Sequence, residues 1–196
     1  MKKLSRHLLL TALCAICLLP IAALAHTDVG QTTGFSAGFI HPVGGADHLL
    51  AMLAVGLWAA QMRGRAAWVV PGAFVSMMMA GGALGMSGVH VPYMEEGILV
   101  SVLVLGVLIA GAVKLPLAVS AMLVGIFAVC HGHAHGAEMP IAVGAVSYSA
   151  GFALATALLH AAGILAGIGL RKLDIEKITR FAGGAIALSG IYMAVA

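Results

Sequence analysis

Charge is scarce in this 196-residue sequence, with Asp, Glu, Lys and Arg together making up 9% of it. A soluble domain carries about 25%, so that class is excluded at the outset. Aromatic residues are also few, at 6%, and there are three cysteines. Cys14 and Cys17 fall within the first 25 residues, which read as a signal peptide, and the remainder holds Cys130 alone. No internal disulfide can form from one thiol. Neither a P-loop nor an H-E-x-x-H helix occurs. What fills the sequence instead is apolar: 62% is hydrophobic, and the mean hydropathy is +1.09. The class expected is an all-α polytopic membrane protein.

The first 25 residues combine a basic start (Lys2, Lys3, Arg6), an apolar run from Leu8 to Leu19 and the small-residue pattern Ala23-Leu24-Ala25. These are the three parts of a cleavable signal peptide, with His26 as the expected mature N-terminus. Removing those three of the ten basic residues leaves seven against seven acids, a formally neutral chain. A basic surface for nucleic acid is therefore not available.

A membrane-spanning helix needs roughly 20 apolar residues, because the hydrocarbon core is about 30 Å thick. Six mature stretches qualify, near 43–62, 67–87, 95–113, 116–136, 141–170 and 179–196. Residues 26–196 are read as one six-helix transmembrane domain. The loops provide an independent test, since cytoplasmic loops hold the Lys and Arg. Arg63 and Arg65 lie between the first two spans, Lys114 between the third and fourth, and Arg171, Lys172, Lys177 and Arg180 between the last two. Every basic residue of the mature chain thus falls on one side. The expected placement is a bacterial inner membrane with both mature termini periplasmic. Small-xxx-small pairs such as Gly34/Gly38, Gly81/Gly85 and Gly163/Gly167 point to close helix packing. Oligomeric state is open, a homo-oligomer included.

With topology assigned, most of the histidines and acids gather at the periplasmic end. The first motif is His41-Pro42-Val43-Gly44-Gly45-Ala46-Asp47-His48, running into the first span. Counting back from Arg63 puts Asp47 and His48 about one turn inside the bilayer, where a carboxylate costs several kcal/mol unless paired and marks an ion path by default. Pro42 and the Gly44-Gly45 pair should interrupt the helix and let His41 fold back towards Asp47. The second motif is His131-Gly132-His133-Ala134-His135-Gly136-Ala137-Glu138, at the outer end of the fourth span. On a continuing helix His131, His135 and Glu138 share a face at i, i+4 and i+7, while His133 points elsewhere. Gly132 and Gly136 form a small stripe that would let another helix approach.

A single composite metal site follows from two such clusters at equal depth. Imidazole suits Ni, Cu, Zn and Co, and the absence of a cysteine cluster argues against soft thiolate sites. The metal ligands expected are His41, Asp47, His48, His131, His135 and Glu138. Secondary candidates are His26, whose α-amine would lie beside its imidazole, His133, and His160, eleven residues before Arg171 on a face with Ser149 and Thr156. Met77-Met78-Met79 is expected to be core packing, since consecutive helical residues face different ways. Because a ligating imidazole must be neutral, uptake should fall as pH drops through about 6.5.

The stretches H-P-V-G-G-A-D-H-L-L-A-M-L-A-V-G (41–56) and H-G-H-A-H-G-A-E (131–138) resemble the HupE/UreJ family of nickel and cobalt permeases. The likeness runs over the whole chain. It implies uptake of Ni²⁺, or Co²⁺, as a transported ion rather than a bound cofactor, and a link to the maturation of hydrogenase or urease. It places the functional pattern on the six ligands named above. One departure is Cys130, which stands where an aromatic residue precedes the second motif. The alternative is an intramembrane zinc-dependent metalloenzyme with Glu138 as its base; a metal sensor is disfavoured because the loops carry no output domain. The partners expected are lipid and metal, with a homo-oligomer left open and nucleic acid excluded.

Overall fold

The computed structural model describes residues 34–139 and 144–196. The expected signal peptide, its cleavage site and His26 lie outside the described residues. The described chain forms seven helices: α1 (Gly34–Gly44), α2 (Ala46–Met62), α3 (Ala66–Met86), α4 (Met94–Ala110), α5 (Leu117–Ala137), α6 (Ala145–Lys172) and α7 (Glu176–Val195). Among these residues there is no strand.

Four helices, α3, α5, α6 and α7, are long and apolar enough to cross a membrane, and α1 with α2 forms a fifth candidate bent by 84°. The stretch 95–113, expected as a full span, is helical only as the 17 residues of α4. At 1.5 Å per residue that is about 26 Å, at the short end of what a bilayer needs. Its end is set by Ala112, which takes a positive φ of 52°. Large apolar side chains point outward from the bundle, with Trp68 79% and Phe181 77% exposed. Such a surface suits lipid rather than water.

The helices associate mainly as α3 with α5, α4 with α7, and α6 with both α1 and α2. Glycine makes these approaches close. A Cβ on Gly132 would strike the backbone carbonyl of Met78, and one on Gly163 would strike that of Leu53. Between the helices Trp58, Phe74, Met52 and Met78 are fully buried or nearly so. Met77 and Met79 face out, at 41% and 38% exposed, so the Met triplet divides between core and surface as helical geometry requires.

The bend between α1 and α2 differs from the expected interruption. Pro42 lies inside α1, and the helix runs on to Gly44. The break falls at Gly45, which is extended (φ −105°, ψ 128°) and precedes the first turn of α2. The Asp47 and His48 side chains fold back over this residue. A Cβ on Gly45 would lie 2.7 Å from Asp47 Oδ1 and 3.2 Å from His48 Nδ1, so any side chain here would push the two groups from their present positions.

At the other end the basic residues tie helix ends together. Arg171 Nη1 donates to the Ala60 carbonyl at 3.1 Å, Arg180 Nε to Ala110 at 2.8 Å, and Arg63 Nη2 to Glu176 Oε1 at 3.0 Å. The histidine motifs and the basic residues therefore occupy opposite ends of the bundle.

Candidate metal centre

The first turn of α2 presents Asp47 and His48. Asp47 Oδ1 accepts both the backbone N–H and the Nδ1–H of His48, each at 2.8 Å. The carboxylate thus satisfies a helix N-terminal donor that would otherwise be free and sits where the helix dipole favours negative charge. With Nδ1 committed, the lone pair of His48 is on Nε2. That atom is buried and has no hydrogen-bond partner among the described residues.

His131 and His135 come from the last two turns of α5, 0% and 3% exposed. Ser101 of α4 donates its hydroxyl proton to the Ile98 carbonyl at 2.6 Å. Its oxygen can then accept the Nε2–H of His131 at 3.0 Å. The His131 lone pair is left on Nδ1, again buried and unpartnered, and both nitrogens of His135 are in the same condition. A buried polar atom without a partner costs about 1–3 kcal/mol, so a cluster of them calls for a bound ligand. A carboxylate, hydroxyl or carbonyl holding the far nitrogen of an imidazole is also how metal-ligating histidines are oriented.

These rings converge. His48 lies 4.8 Å from His131 and 4.1 Å from His135 between ring centroids. His41, on α1, lies 4.4 Å from His135, and its Nε2 is 3.6 Å from Glu138 Oε2. One ligand atom each from His41, His135 and Glu138 fits within 4.8 Å of the others, a spacing a metal ion could bridge. Tyr148 and Phe152 of α6 wall the group, with Phe152 4.2 Å from His135. The nest grades from half-open to dry: the Glu138 side chain is 60% exposed and His41 32%, while His131 is sealed.

All six ligands expected from sequence are thus drawn to one end of three helices. The approach differs from expectation in two ways. His41 turns to Glu138 and His135 rather than to Asp47. The helix that lies on the Gly132/Gly136 stripe is α3, through Met78 and Gly82, yet α3 supplies an aromatic wall, Phe74, rather than a ligand. His133 faces away and donates Nε2–H to the Val89 carbonyl at 2.7 Å. Cys130 packs with Ile98 and Ala134, and its thiol turns to the Ile126 carbonyl of its own helix at 3.7 Å. Ser101 went unremarked in the sequence, although a hydroxyl in the middle of an apolar helix was the signal. Glu95, in the first turn of α4, is not part of either motif. It lies in electrostatic reach of Glu138, His48 and Asp47, making a third acid at the mouth.

Deeper in, Phe74 contacts both His131, 5.5 Å away, and His160, 5.0 Å away. His160 Nδ1–H donates to the Met52 carbonyl at 2.8 Å, leaving Nε2 buried and unpartnered. One turn earlier the Thr156 hydroxyl contacts Met52 Sδ at 3.4 Å and Met78 Sδ at 3.6 Å. His160 therefore has the same arrangement as His48 and His131, with one nitrogen anchored and the other presented.

Comparison with known proteins reaches the whole of this architecture. No solved structure matches. The chain is 46% identical over 182 residues to Protein HupE of Rhizobium leguminosarum bv. viciae, covering 90% of this chain and 93% of that protein. The sequence profile of the HupE / UreJ protein family matches residues 14–193, a span that takes in both histidine motifs, the bent α1–α2 pair and His160. With histidine motifs, helical bundle and full-length similarity all in agreement, the chain belongs to the HupE / UreJ family, a family of nickel and cobalt transporters and not of enzymes.

Proposed function

We propose that this protein takes up Ni²⁺, with Co²⁺ as second choice, across the bacterial inner membrane, and that the imidazole nest of α1, α2 and α5 is where the ion first loses water. The observation that carries the reading is the set of unpartnered nitrogens on His48, His131 and His135, two of these rings being held by Asp47 and Ser101. Nitrogen and carboxylate donors suit a divalent late transition metal better than Mg²⁺ or Ca²⁺.

The ion is captured by Glu138 and His41 at the mouth, aided by the negative charge of Glu95 and Asp47. It passes to His48 and His135, then to His131. It passes along Phe74 to His160, which offers a single nitrogen, with the thioether sulfurs of Met52 and Met78 at Thr156 one turn away. Fewer and softer donors bind Ni²⁺ less tightly, which favours onward movement: conduction needs sites weak enough to leave. A negative-inside potential contributes about 2.3 kcal/mol per charge per 100 mV, doubled for a divalent ion. Both termini are periplasmic, the basic loops are cytoplasmic, and α1–α2 and α4 complete six spans. The metal delivered serves hydrogenase or urease.

The test is radiolabelled Ni²⁺ uptake by cells expressing the protein, with Co²⁺, Zn²⁺ and Cu²⁺ as competitors. His48→Ala and Glu138→Gln should abolish accumulation while the protein remains in the membrane. Unaltered uptake by His48→Ala would overturn the proposed path.

A further inference from the structure

The end of the bundle remote from the histidines contains a cavity of about 190 Å³ lined by Arg63, Lys114, Arg171, Arg180 and Glu176. The four basic side chains come from four places in the chain: the end of α2, the loop between α4 and α5, the last turn of α6 and the second turn of α7. Sequence alone accounts for positive charge on this side of the bundle, but not for its convergence on one concavity. Four cations face a single carboxylate, so the cavity repels a divalent metal and attracts an anion.

The donors are arranged and only partly used. Arg171 and Arg180 each give one N–H to a backbone carbonyl, and Arg63 gives one to Glu176. A guanidinium has five N–H donors in a planar fork, so each keeps several for an oxyanion, and Arg suits phosphate through paired hydrogen bonds. Lys114 makes no hydrogen bond or ion pair among the described residues. The wall also includes the exposed methyl of Ala112, apolar surface that a free ion would not use but the glycerol and first methylenes of a lipid would. Basic pockets between transmembrane helices on the cytoplasmic side are where anionic headgroups bind.

We propose that this cavity binds the phosphate of an anionic phospholipid headgroup. Inorganic phosphate offers the same oxyanion without the acyl chains, so the experiment carries an arm for each. The assignment does not depend on which metal is transported.

Native mass spectrometry of the full-length protein in detergent should find phosphatidylglycerol retained in preference to phosphatidylcholine. Lys114→Gln should weaken that retention about fivefold, the effect of one basic group near an anionic headgroup. Its melting temperature should not change, since the ammonium holds nothing else. Lys172→Gln removes a basic group at the same end but outside the cavity lining, and should leave retention as it was. Equal retention of both lipids overturns the proposal, as does an equal loss in Lys172→Gln, which would mean diffuse interfacial charge. Millimolar inorganic phosphate should fail to displace the lipid; displacement would overturn the lipid assignment and give the site to free phosphate.

Discussion

The two ends of this bundle use charge in opposite ways. At the histidine end, groups that are costly to bury are buried: His131 is 0% exposed and His160, deeper still, 1%, each with one nitrogen held and the other left unpartnered. At the basic end the charged groups stay wet, and the Arg63–Glu176 pair is more than half exposed on both sides. A group that need only mark topology or hold a loop can remain in water. A group that must replace the hydration shell of an ion has to wait in a dry place with its lone pair already aimed. On the proposed function, the contrast separates residues kept to bind the ion at some expense in stability from residues kept for orientation and assembly.

The sharpest way to break this contrast is at the ligands. His131→Ala should lower Ni²⁺ uptake by more than the roughly 10–100-fold typical of losing an outer-shell partner, and leave the protein as stable or more stable in thermal unfolding. A ligand deletion that destabilises without affecting uptake would make His131 a structural residue. Next comes Ser101→Ala, which frees His131 to change tautomer or tilt. Ni²⁺ affinity by equilibrium dialysis should fall about 10–100-fold, whereas Ser101→Thr, keeping the hydroxyl, should retain most of it. Packing effects follow. Gly132→Ala drives a methyl into the Met78 backbone and should cost about 1–3 kcal/mol, read as a lowered melting temperature. Gly72→Ala, where a Cβ would meet nothing within 4 Å, should be neutral or stabilise by up to about 1 kcal/mol. Smallest is Arg63→Gln at the wet end, where losing an exposed ion pair should change unfolding by less than about 1 kcal/mol. A larger loss would mean that the basic end is built as tightly as the histidine end.

The two histidine motifs were legible because they are local: each places its groups within eight residues, and the helical repeat puts His131 and His135 on one face. Gly45 shows where local reading stops. Pro42 and the Gly44-Gly45 pair all looked like helix breakers, and only the side chains of Asp47 and His48 lying over residue 45 decide among them. Ser101 and Phe74 were hidden for a related reason. They sit on α4 and α3, far in sequence from either motif; the Ser101 hydroxyl stands out in an apolar helix, but nothing local names the ring it faces.

Composition and hydropathy by themselves determined that this chain is a helical membrane protein, because a bilayer imposes length and polarity on each segment separately. The spacing of His, Asp and Glu likewise pointed to a site for a divalent metal. Tertiary structure alone decided that α1 and α2 deliver His41 and His48 to the end of α5, that Ser101 and Asp47 orient the rings, that Phe74 touches both His131 and His160, and that four basic side chains close on one cavity. Each of these depends on which helices lie side by side. That choice is made by glycine-lined contacts between segments up to more than a hundred residues apart, such as Gly56 against His160, and no local pattern in the sequence records it.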